Sequence, residues 1–375
     1  MPTFVLAQTV YTSRFLRNIG ISSSLLLGYD VSLRTNETQF GNYNKIVTGA
    51  EFGIVYRTDG QKDWNKLYNN PRIGINFAYM NLPLNSIFGK AVTAIPYIDF
   101  NWLNLPKTYG FFRFGIGGAY MNKYYKLETN SSNYSISTTG NFAYELGFGL
   151  HHNIIPNMDL DFQVGMVNIS NGGTKAPNQM ISVGYAKFGV SAFFYDRMNT
   201  RGHTVFRSKL TKIWYWQAFA GGGYKSILKP LAVSYPVGVF SAQYLYAYNK
   251  LFNYGFALDI YFDPTPNIRT LSPKLMSDIK FIDKFHAGIG FTSEFEIGKI
   301  SIPIYLMHYV YNLKYVGTGG IYSKFGIKYT PMHNFFMGIN FKNTFDSKMG
   351  VQGDFVECYL GYRLKPKPPI KNIIK

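Results

Sequence analysis

From Asp159 to Met166 the chain alternates strictly. Leu160, Phe162, Val164 and Met166 are apolar, whereas Asp159, Asp161, Gln163 and Gly165 between them are not. Side chains of an extended strand point to opposite faces in turn, so this run makes a strand with one apolar and one polar face. The same period returns in short runs along the whole sequence, for instance Ile73, Ile75, Phe77 and Tyr79 against Arg72 and Asn76. No segment approaches the ~18–20 uninterrupted apolar residues of a membrane-spanning helix. If this chain crosses a membrane, it crosses with strands.

Composition says that it does. Charged residues make up only 15% of the chain, against the roughly 25% of a soluble domain. Aromatics reach 18%, with 31 Tyr, 32 Phe and 37 Gly. Apolar side chains facing lipid around a polar interior give this composition. The 375 residues suffice for about sixteen strands of ~9–11 residues plus connections.

Strands are expected near 20–33, 46–57, 72–82, 91–103, 109–122, 140–151, 158–169 and 178–195, then near 213–224, 236–248, 253–263, 283–297, 300–312, 320–330, 335–345 and 354–364. Connections alternate long and short, as in outer-membrane barrels with short periplasmic turns and long outer loops. The fold class is therefore an all-β, antiparallel transmembrane barrel of the outer membrane, with about sixteen strands. Unbroken strand grammar across 196–212 favours one large barrel over the alternative of two tandem eight-stranded barrels. A single large barrel would enclose a water-filled lumen, whereas two small ones would be packed shut. The expected parts are a signal-peptide remnant at 1–8, an eight-strand half at 9–195, a connection at 196–212, a second half at 213–364, and a basic, Pro-rich tail at 365–375. Short turns on the periplasmic side place both termini there, and the long connections 58–71 and 196–212 are exceptions.

The formal net charge is +18, yet the Lys and Arg are dispersed over loops, turns and inward strand positions. No basic helix or clustered patch suggests nucleic acid. Phosphorylated lipid head groups are the expected partner. A lone Cys358 excludes an internal disulfide framework and gives no cysteine metal cluster; no metal or cofactor is implied.

One stretch breaks the pattern. Asn168 and Ser170 continue the apolar parity of Leu160 to Met166, so a polar pair sits where lipid is expected. Polar groups in that position are costly and tend to be functional. The run Gly165 to Asn178, GMVNISNGGTKAPN, resembles the active-site hairpin of the outer-membrane lipid A 3-O-deacylases, the PagL family, and more closely their longer relatives in Bacteroidetes, the acyloxyacyl hydrolases. The stretches 62–79, 94–100, 255–263 and 354–364 also resemble those long relatives. The resemblance implies a Ser nucleophile at Ser170, a His general base two residues before it, and an orienting Glu on the next strand. It also implies substrate contacts from Asn171, Lys175 and Asn178, with lipid A, lipopolysaccharide or phospholipid of the outer leaflet as the ligand. A Ser hydroxyl needs a neighbouring base to become a nucleophile. Here the His position holds Asn168, which cannot accept a proton near neutral pH, and the Glu position falls at Ser182.

Other candidates have ordinary explanations. His151 and His152 sit at the opposite end of their strand, His203 lies in the connection, and His308 shares parity with Ile304 and Leu306 as an interfacial residue. Glu294 and Glu296 share an inward face, where mixed charge is normal in barrels. Gly221 to Gly223 provides strand curvature, since no helix follows it to hold a phosphate. Three functional readings remain. They are a lipid A or phospholipid esterase using Ser170, a catalytically degenerate lipid binder or subunit of an outer-membrane protein assembly, and a channel.

Overall fold

The computed structural model describes residues 14–32, 43–195, 212–229, 231–249, 251–265, 280–311, 320–346 and 350–364. The expected signal remnant, most of the 196–212 connection with His203, and the tail from 365 lie outside the described residues. Sixteen antiparallel strands close into two separate barrels of eight. The first comprises β1 Ile19–Asp30, β2 Ile46–Arg57, β3 Arg72–Asn81, β4 Lys90–Asn104, β5 Thr108–Met121, β6 Gly140–Ile155, β7 Met158–Ser170 and β8 Ile181–Phe193. The second comprises β9 Ile213–Lys229, β10 Leu231–Ala247, β11 Phe252–Phe262, β12 Phe285–Ile297, β13 Ile300–Tyr311, β14 Ile321–Tyr329, β15 Phe335–Asp346 and β16 Gly350–Leu364. Closure of each ring comes from β1 pairing β8 and β16 pairing β9.

The arrangement is thus the two-barrel one, and the preference for a single large ring fails for an identifiable reason. Strand period reports which face is polar, and both arrangements share that pattern. What separates them is whether β8 pairs with β1 or β9, a non-local choice that local grammar does not encode.

An eight-stranded barrel is just wide enough for side chains to fill it, and here the filling is ionic. In the first barrel, Asp159 takes Arg57 Nη2 at 2.7 Å and also Arg72, while Arg113 grips Asp99 through Nε at 2.7 Å and Nη2 at 2.8 Å. Lys187 Nζ sits between Glu51 at 2.5 Å and Glu145 at 2.7 Å. In the second barrel, Lys324 meets Asp259 and Lys328 meets Glu294, each at 2.5 Å, and Arg363 meets Glu296 at 3.2 Å. Glu294 and Glu296 therefore each have a cationic partner of their own. Buried charge persists only when paired in this way.

The barrels lie side by side. Ile98 and Phe114 of the first, both outward by parity, pack with Ile302 of the second. Tyr144 meets Phe325 with ring centroids 4.8 Å apart, and Phe142 meets Phe341 at 5.2 Å. At the end of the barrels carrying the chain termini, the connection between β2 and β3 forms a short helix, Asp63–Leu67. Just beyond it, Tyr68 donates its hydroxyl to the carbonyls of Leu251 at 3.2 Å and Glu296 at 3.1 Å in the second barrel. Burial, reinforced by the charge of Glu296, holds that phenol well above its usual pKa, so it remains a donor. The unexpected length of 58–71 is explained: it reaches across to the neighbouring barrel.

Candidate functional site

Ser170 is the last residue of β7, at the hairpin end, opposite the one bearing the termini. Parity sends its side chain outward with Phe162, Val164 and Met166, as expected. Those three are exposed on the barrel wall, but Ser170 is only 5% exposed and Asn168 only 2%. The expectation that this pair meets lipid does not hold: both are buried, and the second barrel covers Ser170. A Cβ placed on Gly353, near the start of β16, would lie 3.2 Å from Ser170 Oγ.

The loop after Ser170 is shaped to receive that cover. Gly172 and Gly173 both adopt the left-handed conformation, at φ +68° and +71°, where side chains are disfavoured. A Cβ at Gly172 would stand 2.4 Å from Val356 Cγ2, and one at Gly173 only 2.0 Å from the Asp354 carbonyl oxygen. With both bare, the backbones meet. Val356 N donates to Gly172 O at 3.1 Å, and Ser226 N donates to Gly173 O at 2.7 Å. Ser226 Oγ accepts from Ala176 N at 3.0 Å, and Ser234 Oγ donates to Thr174 O at 2.9 Å.

These last contacts explain why β9 and β10 are 17 residues each, longer than the sequence pattern suggested. Their hairpin projects past the ring to reach the loop. Pro236 is tolerated inside β10 because β11 pairing begins only at Gly238, which leaves Pro236 bonded on the β9 side alone. Asp354, beside this contact, is held by Lys225 at 2.9 Å and by Lys342.

Within the loop, polar side chains bond to one another. Asn178 Nδ2 donates to Ser170 Oγ at 2.9 Å, and Gly172 N donates to the same oxygen at 3.1 Å. The acceptor facing the Ser170 hydroxyl proton is Asn178 Oδ1, at 3.3 Å. Asn171 Nδ2 donates to Ser137 Oγ at 2.9 Å and to Lys175 O at 2.6 Å. Of the three expected substrate contacts, Asn178 bonds within its own loop and Asn171 to that loop and to Ser137 of the β5–β6 connection, while Lys175 is exposed.

Asn168 and Ser182 are direct cross-strand partners. Ser182 Oγ donates to Asn168 Oδ1 at 2.5 Å, while Asn168 Nδ2 has no hydrogen-bond partner among the described residues. The two positions that the family hairpin would fill with His and Glu are therefore together, but they hold an amide and a hydroxyl, and neither is a base. Among the described residues, no histidine is a hydrogen-bond partner of Ser170. His151 lies inside the first barrel against Asp161 at 2.7 Å, nine residues down the β6–β7 ladder, roughly 30 Å at ~3.3 Å per residue. Glu145, inward as expected, is occupied by Lys187.

The structure brings Asn168 and Ser182 together two residues short of Ser170 at the hairpin end, and sequence reasoning missed what lies on top. The glycine pair was a visible signal, read only as part of a motif. Phe325 and Phe341, outward on their strands, pack against the first barrel.

Two closed, charge-filled, lipid-faced rings define a double outer-membrane β-barrel, with a motif-bearing hairpin clamped between its halves. Residues 48–191 match the sequence profile of the family described as "Lipid A 3-O-deacylase (PagL)", and residues 214–366 match that of "Acyloxyacyl hydrolase, C-terminal domain". The chain belongs to the lipid A 3-O-deacylase (PagL) family, with the acyloxyacyl hydrolase C-terminal domain as its second barrel. No curated protein sequence matches it. Among solved structures it is similar to the outer membrane enzyme PagL, at 16% identity and a TM-score of 0.31, over 45% of this chain and 97% of that one. It is also similar to a mutant of the Rh. blastica porin, at 10% identity and a TM-score of 0.20, over 92% of this chain and 99% of that one. A third is the Ralstonia pickettii toluene transporter TbuX, at 9% identity and 0.19, over 92% and 89%. Structural likenesses this weak carry no argument, and the family assignment rests on the two profiles.

Proposed function

We propose that this protein is a catalytically degenerate lipid A deacylase that binds lipid A or lipopolysaccharide acyl chains at the outer leaflet without cleaving them. Both termini lie on the periplasmic side, and the hairpin end faces outward. One observation carries the reading: Ser170 stands beneath the second barrel, hydrogen-bonded to an amide and a backbone N–H, with Asn168 where the base belongs. A hydroxyl held as an acceptor by two donors, facing no base, is not a nucleophile. Losing a triad member costs several powers of ten in rate. In place of catalysis, the hairpin's glycines and carbonyls serve as the seat for the second barrel. The orientation rests on the short turns gathered at the terminus-bearing end. A channel is not favoured, since ion pairs fill both lumens.

The test is mass spectrometry of lipid A from cells that lack the protein, express it, or express Ser170→Ala. Identical lipid A in all three, with the protein folded in the outer membrane, is the expected result. Loss of an acyl chain that depends on Ser170 would refute the reading and require a base not yet identified.

A further inference from the structure

The second barrel carries a groove of about 760 Å³ on its lipid-facing wall. It runs between two registered rows of outward side chains. The first row is Trp216, Tyr244, Phe256, Phe291 and Leu306, each paired with the next across neighbouring strands. The second is Ala242, Leu258, Ile289, His308 and Ile321, paired likewise. Rows two residues apart on a strand are separated by roughly 7 Å, and the trough lies between them. Ala242 opens the floor where its row neighbours would otherwise close it.

His308 is the single imidazole in this wall. It is exposed between Leu306 and Val310, and among the described residues nothing hydrogen-bonds to it. A polar ring facing hydrocarbon is costly unless it has a partner there. It lies toward the hairpin end: its cross-strand neighbour Ile321 is the first residue of β14. The groove therefore pairs an apolar trough with one hydrogen-bonding group at its hairpin-end margin. That is the complement of an acyl chain joined to an ester or amide carbonyl.

We infer that this groove holds one acyl chain of lipid A, with His308 hydrogen-bonded to the linkage that joins the chain to the sugar. The assignment to lipid A, rather than a glycerophospholipid, rests on the binding function and outward orientation proposed above. The site lies on the opposite barrel from Ser170 and does not involve the family hairpin. No bond is made or broken.

The test uses the full chain in detergent, with native mass spectrometry of lipid adducts during titration with hexa-acyl lipid A or with phosphatidylglycerol. Ala242→Trp fills the trough, His308→Leu removes the hydrogen bond, and Phe162→Trp alters the outer wall of the first barrel as a control. Lipid A binding is expected to weaken about tenfold in Ala242→Trp, the equivalent of ~1.4 kcal/mol, to weaken several-fold in His308→Leu, and to be unchanged in Phe162→Trp. If lipid A binds equally well to wild type, Ala242→Trp and His308→Leu, the groove is not its site, although the binding function survives. If wild type binds no lipid A, both the function and the groove fall. If phosphatidylglycerol binds as tightly and is displaced by the same substitutions, the groove is a general lipid seat and the lipid A assignment is wrong.

Discussion

Two polar groups in this molecule occupy strand positions that point outward among apolar neighbours, and they have opposite surroundings. Ser170, at the tip of β7, is covered by the second barrel and tied into a loop of hydrogen bonds. His308, on β13, stands open on the outer wall of the second barrel and has no hydrogen-bond partner among the described residues. Parity assigned both to the same outward direction. Parity says where a side chain points, and only tertiary structure says what it meets. The same contrast divides the aromatics: Phe341 is 7% exposed in the seam, whereas Phe291, equally outward, is 65% exposed.

The seam does not owe its stability to the hydrophobic effect, because lipid tails are as apolar as the side chains they would replace. It depends on close packing and on backbone hydrogen bonds at the hairpin end, with Tyr68 clasping the other. The largest expected effect therefore falls on the backbone contact. Gly173→Val places a branched side chain at φ +71° against the Asp354 carbonyl. Left-handed strain of ~1–2 kcal/mol and overpacking of ~1–3 kcal/mol should together destabilise the seam by roughly 2–5 kcal/mol. Urea unfolding in lipid should show the two barrels melting separately, where the parent melts as one unit.

Next in size comes a matched pair. Phe341→Ala in the seam leaves a cavity between rigid walls and should cost about 2–3 kcal/mol. Phe291→Ala on the open wall lets lipid chains fill the gap and should cost under about 1 kcal/mol. Equal losses would mean that the barrels are not packed together in the membrane. Ser182→Ala removes the donor to Asn168 Oδ1 and leaves that buried oxygen unpaired, at a cost of about 1–2 kcal/mol in the same assay. The smallest expected signal is none at all: planar bilayers containing the protein should show no conductance steps, because both lumens are filled. A steady porin-like current would contradict the two closed rings.

Much of this was legible in the residues. Alternation located all sixteen strands, and β2 agrees to the residue, because a half-buried strand writes its two faces directly into sequence. Asn168 and Ser182 meet across the β7–β8 ladder beside Ser170, a local outcome because a hairpin pairs segments close in the chain. What could not be read was any choice made over long separations. Ring closure by β1 and β8, the reach of 58–71 to Leu251, and the cover that Gly353 to Val356 lay over Ser170 all join segments far apart in the chain. Gly172 and Gly173 did announce a close backbone approach, but not which backbone approaches.

The central claim is that β16 sits directly on Ser170. It is tested by replacing Ser170 and Gly353 with Cys in a Cys358→Ser background and identifying linked peptides by mass spectrometry after mild oxidation. The Gly353 Cβ position, 3.2 Å from Ser170 Oγ, brings thiols at the two positions within bonding reach. The account predicts near-complete cross-linking within one chain, and none when Cys replaces the wall residue Phe162 in place of Ser170. Two free thiols in a folded, membrane-embedded protein would mean that Ser170 is open to the membrane after all.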